Sequence, residues 1–88
     1  MIEKTIKVVN KNGLHTRPAA KLVKIASKFK SEIEIARDGF KVNAKSIIGV
    51  MTLAAEYGAE VDFYIDGQDE KEAMESIEGL FERGFDES

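Results

Sequence analysis

Apolar residues in this chain change their spacing from segment to segment, and the order of those changes restricts the fold more than any other feature. Residues 2 to 9 alternate, with Ile2, Ile6 and Val8 on one parity together with Lys4. That is the pattern of a strand with one buried face, weakened by Val9 on the other parity. Asn10-Lys11-Asn12-Gly13 reads as a loop. From Thr16 to Phe29, the residues Ala19, Leu22, Val23, Ala26 and Phe29 recur at helical spacing, and Lys21, Lys24 and Lys28 fall off the stripe. That predicts an amphipathic helix. Residues 32 to 37 alternate again, with Ile33 and Ile35 set between glutamates. Asp38-Gly39 predicts a two-residue hairpin turn, because glycine tolerates positive φ. Phe40 and Val42 then form the returning strand. Ile47 to Tyr57 is apolar and predicts a second helix closed by Gly58. Val61, Phe63 and Ile65 mark a fourth strand. Asp69 with Glu72 resembles a capping box, and Ala73, Ile77, Leu80 and Phe81 form the stripe of a last helix stopped near Gly84.

The predicted order is β-α-β-β-α-β-α. Alternation in all four strands calls for a sheet with one buried and one wet face, the habit of antiparallel sheets. Three helices would cover the buried face, giving an α+β, two-layer, open-faced sandwich. With 88 residues, a single domain over 1–88 is expected. There is no cysteine, which excludes disulfides and thiolate metal sites, and the single histidine disfavours a metal centre. The same lack of disulfide staples points to the cytoplasm. No apolar run approaches the ~20 residues of a membrane span, and Met1-Ile2-Glu3-Lys4 lacks the layout of a signal peptide.

Charge is unevenly spread. Residues 1 to 30 hold eight Lys or Arg and one acid, Glu3, whereas the remainder is strongly acidic. A basic face is possible if the early residues cluster. The overall charge of −3 argues against nucleic-acid binding. So does the sparse set of strand aromatics, Phe40, Phe63 and Tyr64.

His15 lies where the first loop ends and the first helix begins, within Gly13-Leu14-His15-Thr16-Arg17-Pro18-Ala19. Pro18 suits a first helical turn, since its missing N–H leaves no bond unmade. The free N–H groups of Thr16 and Arg17 would point out of the helix start, where unpaired donors and the helix dipole both favour an anion. Histidine is a side chain whose neutral form is nucleophilic near neutral pH. A phosphoryl group on the ring would lie over those donors, and Arg17 would add a charge-assisted hydrogen bond. On chemistry alone, a surface or capping role for His15 is the commoner outcome. No elbow motif supports a hydrolase, and no P-loop spacing supports nucleotide binding.

The segment from Gly13 to Ala19 resembles the active-site signature of the HPr family, the histidine-containing phosphocarriers of the bacterial phosphoenolpyruvate-dependent sugar phosphotransferase system. Asn43-Ala44-Lys45-Ser46-Ile47-Ile48-Gly49-Val50-Met51 resembles the regulatory serine motif of that family. The resemblance extends over nearly the whole chain, and the element order is also the family's. It implies an HPr-like fold and a stoichiometric phosphocarrier rather than a turnover enzyme. His15 would accept the group on Nδ1 from phosphorylated enzyme I and donate it to IIA components of sugar permeases. Arg17 would be the assisting cation, with the Thr16 and Arg17 amides on the phosphate. No cofactor is implied beyond the transient phosphoryl group derived from phosphoenolpyruvate, and a monomer is expected.

Ser46 precedes Ile47 and by local pattern caps the second helix. By resemblance it is also a regulatory phosphorylation site for an HPr kinase/phosphorylase, the modified form acting with a catabolite-control transcription regulator. A phosphate at a helix start is tolerated electrostatically, so the fold should survive it. Ile48 departs from the family, where methionine is common. Ile47, Ile48 and Met51 offer more apolar positions than one buried stripe needs. With Thr16, Ala20, Lys24 and Ser27 they resemble the family's partner surface, its basic charge suited to acidic partners. A regulatory binding protein that works mainly through Ser46 is the main rival; relatives devoted wholly to regulation can lack the histidine, which this chain keeps.

Overall fold

The computed structural model describes residues 1 to 87. Its elements are β1 (Ile2–Lys7), α1 (Thr16–Ala26), β2 (Glu32–Arg37), β3 (Phe40–Asn43), α2 (Ile47–Thr52), β4 (Glu60–Asp66) and α3 (Glu70–Glu82), followed by a 3-10 turn, Gly84–Asp86. The four strands form one sheet in the order β1-β4-β2-β3, and every pairing is antiparallel. The predicted element order and the two-layer α+β architecture are both observed. The β2–β3 hairpin turns through Asp38 and Gly39 at φ of 52° and 83°. Positive φ at both central residues is what a type I′ turn requires, and it matches the right-handed twist of the strands.

Register follows parity. Ile2 stands opposite Ile65 and Ile6 opposite Val61, while Ile33 and Ile35 face Ile65 and Phe63 on the other side of β4. The strand residues Ile33, Ile35, Val61, Phe63 and Ile65 are buried with Leu22 of α1, Val50 of α2, and Ala73, Ile77, Leu80 and Phe81 of α3 in one continuous core. A one-residue slip in any strand would turn that set to water, so the apolar pattern alone specifies the pairing. Phe81 links the layers, edge-on to Phe63 with ring centroids 5.7 Å apart and close to Phe85 at 4.8 Å.

Three expected boundaries move. The first strand ends at Lys7 rather than Val9, although Val8 still turns inward and is buried. The first helix ends at Ala26, and tighter bonds from Lys28 and Phe29 to the carbonyls of Ile25 and Ala26 bring Phe29 down onto the core as a turn. The second helix runs only from Ile47 to Thr52, not to Tyr57. Ala54 takes φ of 50°, which ends the helix early. Its carbonyls are used elsewhere: Arg37 Nη1 donates to those of Leu53 and Ala54, and Leu14 N–H donates to that of Ala55. Long-range donors thus claim these carbonyls and outcompete a local apolar pattern that would have extended the helix.

The capping box at Asp69 is not formed. Asp69 is the N-cap of α3, but its side chain makes no cap bond. The carboxylate instead accepts from Lys30 N–H at 2.8 Å, Ser31 N–H at 3.0 Å and the Ser31 hydroxyl, tying the turn after α1 to the start of α3. The helix start is closed by Glu70, which reaches back to Gly67 N–H at 3.1 Å and pairs with the Met1 ammonium.

The Ser31 hydroxyl, then the Lys30 and Ser31 amides, hold the Asp69 carboxyl below its ordinary pKa. A carboxyl whose folded pKa is depressed stabilises the fold above its unfolded value, near pH 4, and loses that contribution as pH falls through the folded value. Thermal melts of the chain and of Asp69→Asn should therefore converge as pH drops from about 6 to about 2.5. A gap in Tm that stays constant over that range would refute the assignment.

Candidate functional site

The approach to His15 is built on two buried residues. Gly13 has φ of 64° and packs so tightly that a Cβ there would lie 2.5 Å from the Ala55 carbonyl oxygen and 2.9 Å from Glu56 Cα. Only glycine meets both conditions without strain. Leu14 is buried, and its N–H donates to Ala55 O at 2.8 Å. The buried Asn10 side chain closes the loop by donating from Nδ2 to Gly13 O at 2.8 Å. With Leu14 pinned inward, the next residue must emerge.

His15 is that residue. It is exposed and stands at the N-cap of α1 with extended backbone, φ −77° and ψ −169°. Its side chain makes no cap hydrogen bond, which leaves the ring uncommitted. Its carbonyl accepts the first bond of the helix ladder, from Ala19 N–H at 2.8 Å. Pro18 contributes no N–H, so the Thr16 and Arg17 amides are the two first-turn donors outside the ladder. No acidic residue occupies that turn. Arg17 is exposed and makes no ion pair among the described residues. The arrangement can hold an anion beside an imidazole.

His15, Thr16 and Arg17 open onto a cleft of about 870 Å³. Lys11 and Lys21 share its lining, so part of the basic N-terminal third does gather there. The face is nonetheless mixed, because Glu56, Asp86 and Glu87 line the same cleft, with Tyr57. These four were not singled out from the sequence. Their neighbourhood to His15 is made by long-range folding, which no local pattern reports. One signal was available for the C-terminal pair. Phe85 is apolar and lies just beyond the helix-stopping Gly84, so the chain has reason to fold back. It does: Phe85 is buried, Lys21 Nζ donates to its carbonyl at 2.7 Å, and Glu87 receives Asn10 and Asn12 side-chain bonds at 3.3 and 3.4 Å.

Ser46 is the N-cap of α2, and its hydroxyl oxygen accepts from Gly49 N–H at 3.1 Å. The capping role expected from local pattern is thus observed. Ser46→Ala should lower stability by about 1 kcal/mol, a typical cap loss, which thermal melts can check. α2 packs against α1. Val50 is buried, while Ile47, Ile48 and Met51 are 37%, 75% and 40% exposed. Thr16, Ala20, Lys24 and Ser27 are exposed on α1. All seven candidate docking residues are therefore accessible. No group of His, Asp and Glu side chains suited to a metal ion occurs among the described residues, and no helix there is long and apolar enough to cross a membrane.

Comparison with known proteins is consistent from end to end. Residues 2–83 match the family model described as the PTS HPr component phosphorylation site. Phosphocarrier protein HPr of Treponema pallidum is 48% identical over 99% of this chain and 99% of its own length. HPr-like protein Crh of Halalkalibacterium halodurans is 48% identical over 94% of this chain and 99% of its own. Among solved structures, HPr from Thermoanaerobacter tengcongensis superimposes with a TM-score of 0.96 at 48% identity, covering 100% of this chain and 99% of that one. This chain belongs to the HPr family of phosphocarrier proteins of the phosphotransferase system.

Proposed function

We propose that His15 accepts a phosphoryl group from phosphorylated enzyme I and passes it to IIA components of sugar permeases. The observation that carries this reading is the exposed, uncommitted His15 ring at the start of α1, next to two amides outside the helix ladder and an unpaired Arg17. In acceptance, the lone pair of Nδ1, the nitrogen used in the family, forms the new bond to phosphorus. The bond from phosphorus to the donor atom breaks, and its electron pair leaves with the donor. Donation to the next protein reverses these roles at the ring. The Thr16 and Arg17 amides and the Arg17 guanidinium stabilise the phosphoryl oxygens where charge accumulates. The whole chain works as one domain and one stoichiometric carrier in the cytoplasm, with no cofactor. Incubation with phosphoenolpyruvate and the host's enzyme I should place one acid-labile phosphate on each chain. A phosphate that survives acid would place the chemistry on another residue.

Docking is assigned to Thr16, Ala20, Lys24 and Ser27 of α1 with Ile47, Ile48 and Met51 of α2, an exposed surface on two helices packed together. Ser46 is assigned a regulatory role as the substrate of an HPr kinase/phosphorylase, upstream of a catabolite-control regulator. The family likeness to Crh supports it, as does the location at a helix start. Phosphorylation would replace the Gly49 cap with a group carrying about two negative charges, favourable against the helix dipole and close to the docking surface. With cognate kinase and ATP, acid-stable phosphate should appear on the chain and vanish in Ser46→Ala. Undiminished incorporation in that variant would refute the assignment. A monomer is proposed in solution. A dimer of HPr is known from Thermoanaerobacter tengcongensis, and light scattering across a concentration series separates the two states.

A further inference from the structure

The 53–57 segment, where α2 stops early, is the wall against which the His15 approach is built. Leu14 N–H donates to Ala55 O, Gly13 lies against Ala55 and Glu56, and Glu56 and Tyr57 line the His15 cleft. That wall has no regular structure of its own, and Ala54 sits at φ of 50°, a conformation that alanine does not prefer. Something must hold it. Arg37, the last residue of β2, reaches across to it. Nη1 donates to Ala54 O at 2.7 Å and to Leu53 O at 3.3 Å, and Nη2 meets Glu56 Oε1 at 3.1 Å. The Arg37 side chain is three-quarters buried, whereas the Glu56 side chain is mostly exposed. The ion pair with Glu56 therefore contributes little, as exposed pairs do, and the bonds to the two carbonyls carry the clamp. Leu53 O and Ala54 O lie at the end of α2, where helix carbonyls lack ladder partners.

We propose that Arg37 is a positioning residue for His15, acting through Leu53, Ala54 and Ala55 on Leu14. This rests on the reading of His15 as the phosphoryl acceptor. The geometry gives a continuous path. Arg37 fixes the carbonyls of 53 and 54, these present Ala55 O to Leu14 N–H, and the buried Leu14 sets where His15 emerges. Without the guanidinium the wall loosens and the Leu14 bond opens more often, while the sheet core stays packed. The planar fork spans carbonyl and carboxylate together. A lysine ammonium, a mobile point charge without that rigid fork, would hold the two carbonyls less firmly.

The test compares the chain with Arg37→Ala, Arg37→Lys and Glu56→Gln. Amide hydrogen exchange is followed at Leu14 and at the core amides of Val61 and Phe63, together with the rate of phosphoryl acceptance from enzyme I. In Arg37→Ala, Leu14 exchange should rise at least about tenfold relative to the core amides, the size of change expected for one lost charged contact. Phosphoryl acceptance should slow by a similar factor. Arg37→Lys should recover part of both, and Glu56→Gln should leave Leu14 exchange close to that of the unaltered chain. Unchanged Leu14 exchange would overturn the proposal. So would slower transfer with normal Leu14 exchange, which would make Arg37 a partner contact. Equal acceleration at Leu14 and the core would overturn it too, by showing a global loss of stability. Failure of the acceptor reading would be recognised separately, by absence of acid-labile phosphate on the unaltered chain.

Discussion

A chain carrying His15→Ala is expected to lose phosphoryl acceptance entirely and to melt at nearly the same temperature. The two halves of that result have separate causes. Acceptance should fail because the ring nitrogen is the proposed nucleophile, and this chain has no second histidine. Stability persists because the side chain is exposed and makes no cap bond to the helix, so truncation should cost within about 0.5 kcal/mol. N-cap residues usually stabilise by accepting a bond from the first turn; His15 forgoes that, which leaves the first-turn amides free for a ligand. Labelling with phosphoenolpyruvate and enzyme I, paired with thermal melts, checks both halves. Label retained by the variant would refute the acceptor assignment. A large fall in Tm would show that the ring supports the fold in a way its contacts do not explain.

Gly13→Ala is expected to destabilise this chain far more than one added methyl group ordinarily does. A non-glycine residue at positive φ costs about 1–2 kcal/mol. The added carbon would also sit 2.5 Å from Ala55 O, so the backbone must part and the Leu14–Ala55 hydrogen bond must stretch or break. Losing a buried bond adds about 1–3 kcal/mol. A total of about 3 kcal/mol corresponds to a fall in Tm of roughly 12–24 °C for a domain of this size. Gly39 offers the control. It has a positive φ of 83° but open space around it, so Gly39→Ala should show the backbone penalty alone. If the two variants fell equally, the close approach of Gly13 to Ala55 would carry no energetic weight.

The strands and the hairpin were legible because their signals are local. Ile33, Ile35, Val61, Phe63 and Ile65 declare a buried face by parity, and Asp38-Gly39 declares a turn by its backbone needs. His15 was legible as a helix-start residue for the same reason. The phosphoryl-acceptor role proposed for it rests on resemblance, since a lone histidine carries little information. The misread elements share a cause. Apolar spacing suggested a helix through Tyr57, yet the carbonyls of Leu53, Ala54 and Ala55 are spoken for by Arg37 and Leu14, residues far away in sequence. Asp69 looked like a capping-box residue, and three donors from residues 30 and 31 claimed its carboxylate. Glu56, Tyr57, Asp86 and Glu87 reach the His15 cleft by the same kind of distant contact.

The strand order has a consequence for how the chain is assembled. β4 is the last strand to be made and the only one that joins both β1 and β2. Until residues 60 to 66 exist, β1 has no partner at all, and the β2–β3 hairpin is the largest piece of sheet that can close. Early segments must wait, exposed, for a late one. Folding should therefore begin from the local hairpin and helices and be completed in one cooperative step when β4 inserts between two waiting edges, with the slower kinetics that distant strand pairing imposes.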